Sequence, residues 1–115
     1  MKFAVLVAIL ADELEEQAID SARSAGACGV TILDGRGLGV QEKKTFLGLT
    51  YEGSQSVLLF VLEKKLSVTV MKQMTKDLKL ADTSKGVLFT LPLEHIAGID
   101  TAQIEQFESR IRDEI

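Results

Sequence analysis

A chain of 115 residues with 46% hydrophobic content makes one domain, long enough to bury about two-thirds of the surface its unfolded form exposes. A net charge of −4 disfavours general nucleic-acid binding, and no basic stripe with interleaved aromatics offsets it. The single cysteine, Cys28, excludes an internal disulfide, as in a reducing cytosol, and the first apolar run is too short to cross a bilayer.

Phe3 to Leu10 is unbroken apolar sequence rich in Val and Ile, as expected of a strand buried on both faces. It lacks the small-residue cleavage context of a secretory signal, because Asp12-Glu13 follows at once. Asp12 is placed to cap a helix whose first turn holds Glu13, Glu15 and Glu16, where the helix dipole favours carboxylates. Leu14, Ala18, Ala22 and Ala25 give that helix a narrow face of small residues, and Gly26 terminates it. A second strand, Val30 to Leu33, stops at Asp34-Gly35. Gly35, Gly37 and Gly39 then alternate, so the backbone can approach a ligand closely and turn its N–H groups toward an anion. No Gly-Lys-Ser/Thr follows, which excludes a Walker A loop, and nothing nearby completes a dinucleotide fingerprint.

From Gly35 to about Gln55 the chain reads as a long polar loop, of the length that is usually functional. Val57 to Leu62 is a third strand. The next segment carries two signals. Leu66 to Met71 alternates like a strand, but Leu66, Val70, Met74 and Leu78 keep helical spacing past the point where alternation fails, so a helix is expected. Asp82 to Gly86 is a loop, and Val87 to Leu91 a fourth strand ended by Pro92. Asp100 can cap a last helix over 100–115, with Gln103 as capping-box partner and a stripe of Ile104, Phe107, Ile111 and Ile115.

This order predicts an α+β, ferredoxin-like βαββαβ sandwich: a four-stranded antiparallel sheet with helices on one face. Strands apolar on both sides imply that another subunit covers the second face. No catalytic set emerges, because the hydroxyls lack a His–acid arrangement and Glu15/Glu16 read as solvated charge. One histidine, His95, and one cysteine are too few for a convincing metal site. The expectation is a protein that is not an enzyme.

At Gly29-Val-Thr31 leading to Gly37-Leu-Gly39 and Gln41, and at Lys85-Gly-Val-Leu-Phe89 leading to Pro92-Leu-Glu94, the chain resembles the PII nitrogen-regulator superfamily, in its divergent PII-like branch. The likeness runs from the first strand to Ile99, and the element order matches as well. It implies a single PII-like domain over 1–115, a homotrimer joined through its sheets, and effector clefts between neighbouring subunits. It also implies a mobile T-loop at 36–55 that docks on a regulated protein such as a membrane transporter. The effector would be of ATP/ADP/AMP type, with no cofactor required. Carried over by position, Thr31, Gly37 and Gly39 would line the adenine-nucleotide cleft, and Gln41 would help hold metal and 2-oxoglutarate. Typical members follow the fourth strand with an Arg-x-Arg pair on the triphosphate; this chain has His95-Ile-Ala-Gly98 there. Arg36 and Lys85 are therefore the only nearby cations to propose for phosphate, with Gly86 beside Lys85 as a further residue of the cleft. The charge, the single cysteine and the short first apolar run lead one to expect a cytoplasmic location, no direct membrane insertion and no nucleic-acid partner. Two other readings stand beside this one: a CutA-like trimer for divalent-metal tolerance, which shares the architecture, and a purely structural or ACT-type amino-acid-sensing interaction domain.

Overall fold

The computed structural model describes residues 1–38, 45–46, 49–83 and 85–99. Its backbone follows the expected order with longer strands. The elements are β1 (Phe3–Ala11), α1 (Glu15–Ser24), β2 (Thr31–Leu38), β3 (Thr45–Phe46), β4 (Leu49–Glu63), α2 (Lys64–Asp77) and β5 (Gly86–Pro92). The sheet order is β2-β4-β1-β5, every neighbouring pair is antiparallel, and β3 pairs with the start of β4. This is the ferredoxin-like arrangement that the element order predicts. The expected helix over 100–115 lies outside the described residues.

Alternation along the strands decides which face is which. Ala4, Leu6, Ala8 and Leu10 of β1 and Leu58, Phe60 and Leu62 of β4 turn toward the helices and are buried. They meet Ala18 and Ala22 of α1 and Leu66, Val70 and Met74 of α2. The small α1 residues let that helix sit close to the sheet, while α2 brings the larger side chains. The helical spacing in Leu66–Leu78 therefore outweighs the strand-like alternation, because it fills this core.

Glu63 starts α2: its Oε2 accepts from the backbone N–H groups of Lys65 (2.8 Å) and Leu66 (3.0 Å), which a helix start leaves without partners. The other helix does not start as expected. Asp12 to Leu14 form a 3-10 turn, and α1 begins at Glu15 without a side-chain cap. The Asp12 carboxylate instead accepts from the buried Ser56 hydroxyl at 2.8 Å, and the Glu15 carboxylate lies 2.8 Å from the same oxygen. An acid tied to β4 is unavailable to a helix N-terminus.

Asp77 joins the helices at the end of α2. Ser21 Oγ donates to its Oδ2 at 2.7 Å and Gln73 Nε2 to its Oδ1 at 2.8 Å, while Gln17 Nε2 donates to its backbone carbonyl at 3.1 Å. The two donors to the carboxylate, Ser21 first and then Gln73, hold the Asp77 carboxyl below its ordinary value.

The expected loop from Gly35 to about Gln55 is corrected at both ends. β2 runs through Gly35 and Gly37 to Leu38, and β4 begins at Leu49, so Gly35 pairs with Gln55 and Arg36 with Ser54. A register shift between Arg36 and Leu38 marks where the ladder bends.

A candidate ligand cleft along the second strand

The sheet face away from the helices is apolar and open. Val5, Val7 and Ile9 of β1 stand opposite Leu91, Phe89 and Val87 of β5, and opposite Val61, Leu59 and Val57 of β4. Val87 and Leu91 are 52% and 50% exposed, and Leu33, Val61 and Phe89 are exposed as well. Contiguous exposed apolar surface of this kind is what association surfaces present.

At the β2 border of this face lies a cavity of about 640 Å³. Thr31, the first residue of β2, lines it together with Cys28, Leu59, Val61, Ile96 and Ile99. The chain after β5 forms its far wall, and the Leu93 N–H at its start donates to the Phe3 carbonyl at 3.0 Å. No charged side chain belongs to the described lining. The Thr31 hydroxyl, the Cys28 thiol and backbone groups are what the described lining can offer a polar ligand atom, suited to the edge of a base or a sugar hydroxyl.

From Thr31 the outer face of β2 continues through Leu33 to Gly35 and Gly37. A side chain added at Gly35 would touch Val57 at 3.9 Å, and one at Gly37 would run into the Gln55 side chain, 2.9 Å from its carboxamide carbon. Both glycines thus face outward, as Thr31 does. Arg36 points the other way. It lines a separate hollow of about 430 Å³ with Asp12, Asp34, Gly35 and Ser54, on the helix side of the sheet.

Lys85 stands across β1 from these residues. Its Nζ is 2.6 Å from the Glu13 carboxylate, both groups are exposed, and its carbonyl accepts from the Ala11 N–H at 2.9 Å. The hydrogen bond from Lys85, and then its charge, hold the Glu13 carboxyl below its ordinary value. Gly86 opens β5 directly over β1. A Cβ there would collide with Leu10 Cδ2 and lie 3.1 Å from the Ile9 carbonyl oxygen. Close packing of two strands therefore accounts for this glycine.

Among the residues expected at an effector site, the single chain gathers Thr31, Gly37 and the intervening face of β2 on one surface. Arg36 and Lys85 sit elsewhere, each beside carboxylates. Gly39 and Gln41 lie outside the described residues, as does much of the 36–55 segment. The sequence reading passed over Cys28, Val61 and Ile96 as cleft residues, because an apolar wall has no motif and is formed by segments distant in the chain. It also missed Ser56, whose alternation with Leu58 and Phe60 points it inward and was the available signal.

Comparison with known proteins agrees with the fold. A family model, nitrogen regulatory protein P-II, matches residues 3–103. GlnK of B. subtilis shares 18% identity at a TM-score of 0.66, covering 88% of this chain and 93% of that one. The same GlnK in complex with ATP aligns at 17% identity and TM-score 0.61, covering 81% and 85% of the two chains. CPII of Thiomonas intermedia K12, a nitrogen regulatory PII-like protein bound to ADP, AMP and bicarbonate, aligns at 20% identity and TM-score 0.60, covering 86% and 98%. No curated protein matches the sequence. With the family model spanning nearly the whole described chain, this protein belongs to the nitrogen regulatory protein P-II family.

Proposed function

We propose that the protein is a P-II-type signalling module of the cytoplasm. It works as a homotrimer that binds an adenine-nucleotide effector and controls a partner protein through the 36–55 segment. The observation that carries this reading is the open apolar sheet face with an uncharged cavity at its border. Three copies packed through that face would cover Val61, Val87, Phe89 and Leu91, and would place each cavity beside a neighbouring subunit.

GlnK with ATP and CPII with ADP and AMP supply the class of effector. In this reading Thr31 contacts the base or ribose, and Gly37, Gly39 and Gln41 belong to the wall nearest the 36–55 segment. Arg36, Lys85 and Gly86 edge the cleft from their own or a neighbouring subunit. Ligand state then passes to the root of the 36–55 segment through β2, which is continuous with it. The regulated partner is a protein such as a membrane transporter or an enzyme. No described helix is long and apolar enough to cross a membrane. The family match does not favour the metal-tolerance alternative. Isothermal calorimetry against ATP, ADP and AMP tests the effector class: saturable binding of one site per chain is expected, and silence toward all three contradicts it.

A further inference from the structure

We propose that the outer face of α2 is a further docking surface, one that takes an acidic amphipathic segment of a partner protein. The inference goes beyond the effector reading and does not depend on it. In a trimer closed through the open sheet face, the helix layer stays on the outside.

Three observations meet on this face. The first is a row of cations. Lys65, Lys72 and Lys76 follow one another after seven and four residues, so they stand in one line on α2, away from the buried Leu66, Val70 and Met74. The line covers about 16 Å along the helix axis. Lys79 follows in the turn after the helix, and all four lysines are exposed. The one acid of α2, Asp77, is held toward α1 by the Ser21 hydroxyl.

The second is the backbone at Lys79. Its φ is +53°, and the Leu80 N–H donates to the Thr75 carbonyl at 3.1 Å, the left-handed closure of a helix C-terminus. Glycine takes this conformation freely, whereas a side chain is strained there. Lys79 is the only non-glycine residue with positive φ among the described residues. A lysine kept where glycine would be more stable points to a use for its ammonium group.

The third is a groove of about 410 Å³ between α2 and β5. Met71, Leu80, Ala81 and Leu88 make it apolar, and Lys72 stands at its rim. An apolar trough beside a lysine row fits a segment with aliphatic side chains on one face and carboxylates next to them. Width decides against broader polyanions. α1 lies against α2 and exposes Glu16 and Asp20 beside Arg23, so a flat anionic bilayer or a duplex laid on the helix layer would meet carboxylates as well. α2 also carries no aromatic ring on which an unpaired base could stack. A single helix or extended chain, about 10 Å wide, can follow the lysine row alone.

The probe is a synthetic amphipathic peptide with leucines on one face and glutamates on the other, labelled with fluorescein and titrated with the full-length protein by anisotropy. Saturable binding below about 1 mM is expected. Peptides with serine for leucine, or lysine for glutamate, should bind about tenfold more weakly or worse. Lys72→Glu combined with Lys76→Glu should weaken the parent peptide about tenfold with unchanged circular dichroism. Lys79→Gly should raise the urea midpoint and yet weaken the peptide about threefold, a pair of changes that misfolding cannot produce. Absence of saturable binding overturns the proposal, as does an affinity that the lysine substitutions leave unchanged or that the serine peptide matches. Two other occupants would also overturn it. One is a phosphatidylserine vesicle that binds where the peptide does not. The other is a second copy of the chain, seen as a native mass that falls in the Lys72→Glu, Lys76→Glu protein.

Discussion

Phe60 and Val61 are neighbours in β4 and face opposite sides of one sheet. Phe60 is 1% exposed among the helix side chains, and Val61 is 44% exposed on the open face. Both faces are apolar: alanines, leucines and Phe60 line the covered one, and valines, leucines, Ile9 and Phe89 the open one. They differ in what the chain itself supplies to cover them. Two helices close one face, while on the other the described chain leaves Val61, Val87, Phe89 and Leu91 exposed. An apolar strand pattern therefore reports how many faces will be buried in the working molecule, and a single chain need not bury them all.

Truncation separates the faces most sharply. Phe60→Ala removes a fully packed ring and is expected to destabilise the fold by about 3–5 kcal/mol, read as the loss of midpoint in urea. Val61→Ala is expected to change the stability of the isolated chain by about 0.5 kcal/mol at most and to weaken association instead, read as a dissociation constant from dilution. Equal effects of the two on a single chain would contradict the distinction between the faces.

Glu63 lies where the strand becomes a helix. Glu63→Ala removes the acceptor for the Lys65 and Leu66 N–H groups and should cost about 1 kcal/mol, with Glu63→Gln retaining most of it in the same urea titration. The smallest expected effect belongs to Asp77 on the covered side. Its carboxyl is held below its ordinary value, so the folded chain binds that proton less readily than the unfolded chain. The contribution is present above the ordinary aspartate range and is lost as pH falls through the lowered value. Melting temperature measured against pH should therefore fall less steeply on the acid side in Asp77→Asn than in the parent.

The covered face was the more legible one. Helical spacing at Leu66, Val70 and Met74 is a strong periodic signal, and those residues fall where that period places them, whereas the unbroken apolar run Val57–Leu62 marks a strand without saying which of its residues meet the helices. The strand extensions toward the 36–55 segment escaped the same reading. Asp34, Gly35, Arg36 and Gly37 have no apolar alternation, and their ladder comes from backbone pairing with Ser54 and Gln55, to which side-chain patterning is blind. Asp12 misled for a related reason. A carboxylate before a helix suits a cap, but Ser56 arrives from a strand distant in sequence and takes it. At the cleft, Thr31 was legible from the motif around it, whereas the orientation of Arg36 and the engagement of Lys85 by Glu13 depend on tertiary placement. In the single chain Arg36 lines a hollow with Asp12 and Asp34, and Lys85 pairs with Glu13.

The measurement that tests the central claim most directly is the mass of the native protein by light scattering, alongside Phe89→Asp. Phe89 faces Val7 on the open face, and a carboxylate there cannot be covered by an apolar neighbour without a large desolvation cost. The account predicts three times the 12.5 kDa of one chain for the parent, and a single-chain mass with unchanged far-ultraviolet circular dichroism for the variant. A parent protein at the mass of one chain, or a Phe89→Asp protein that keeps the trimer mass, would contradict it.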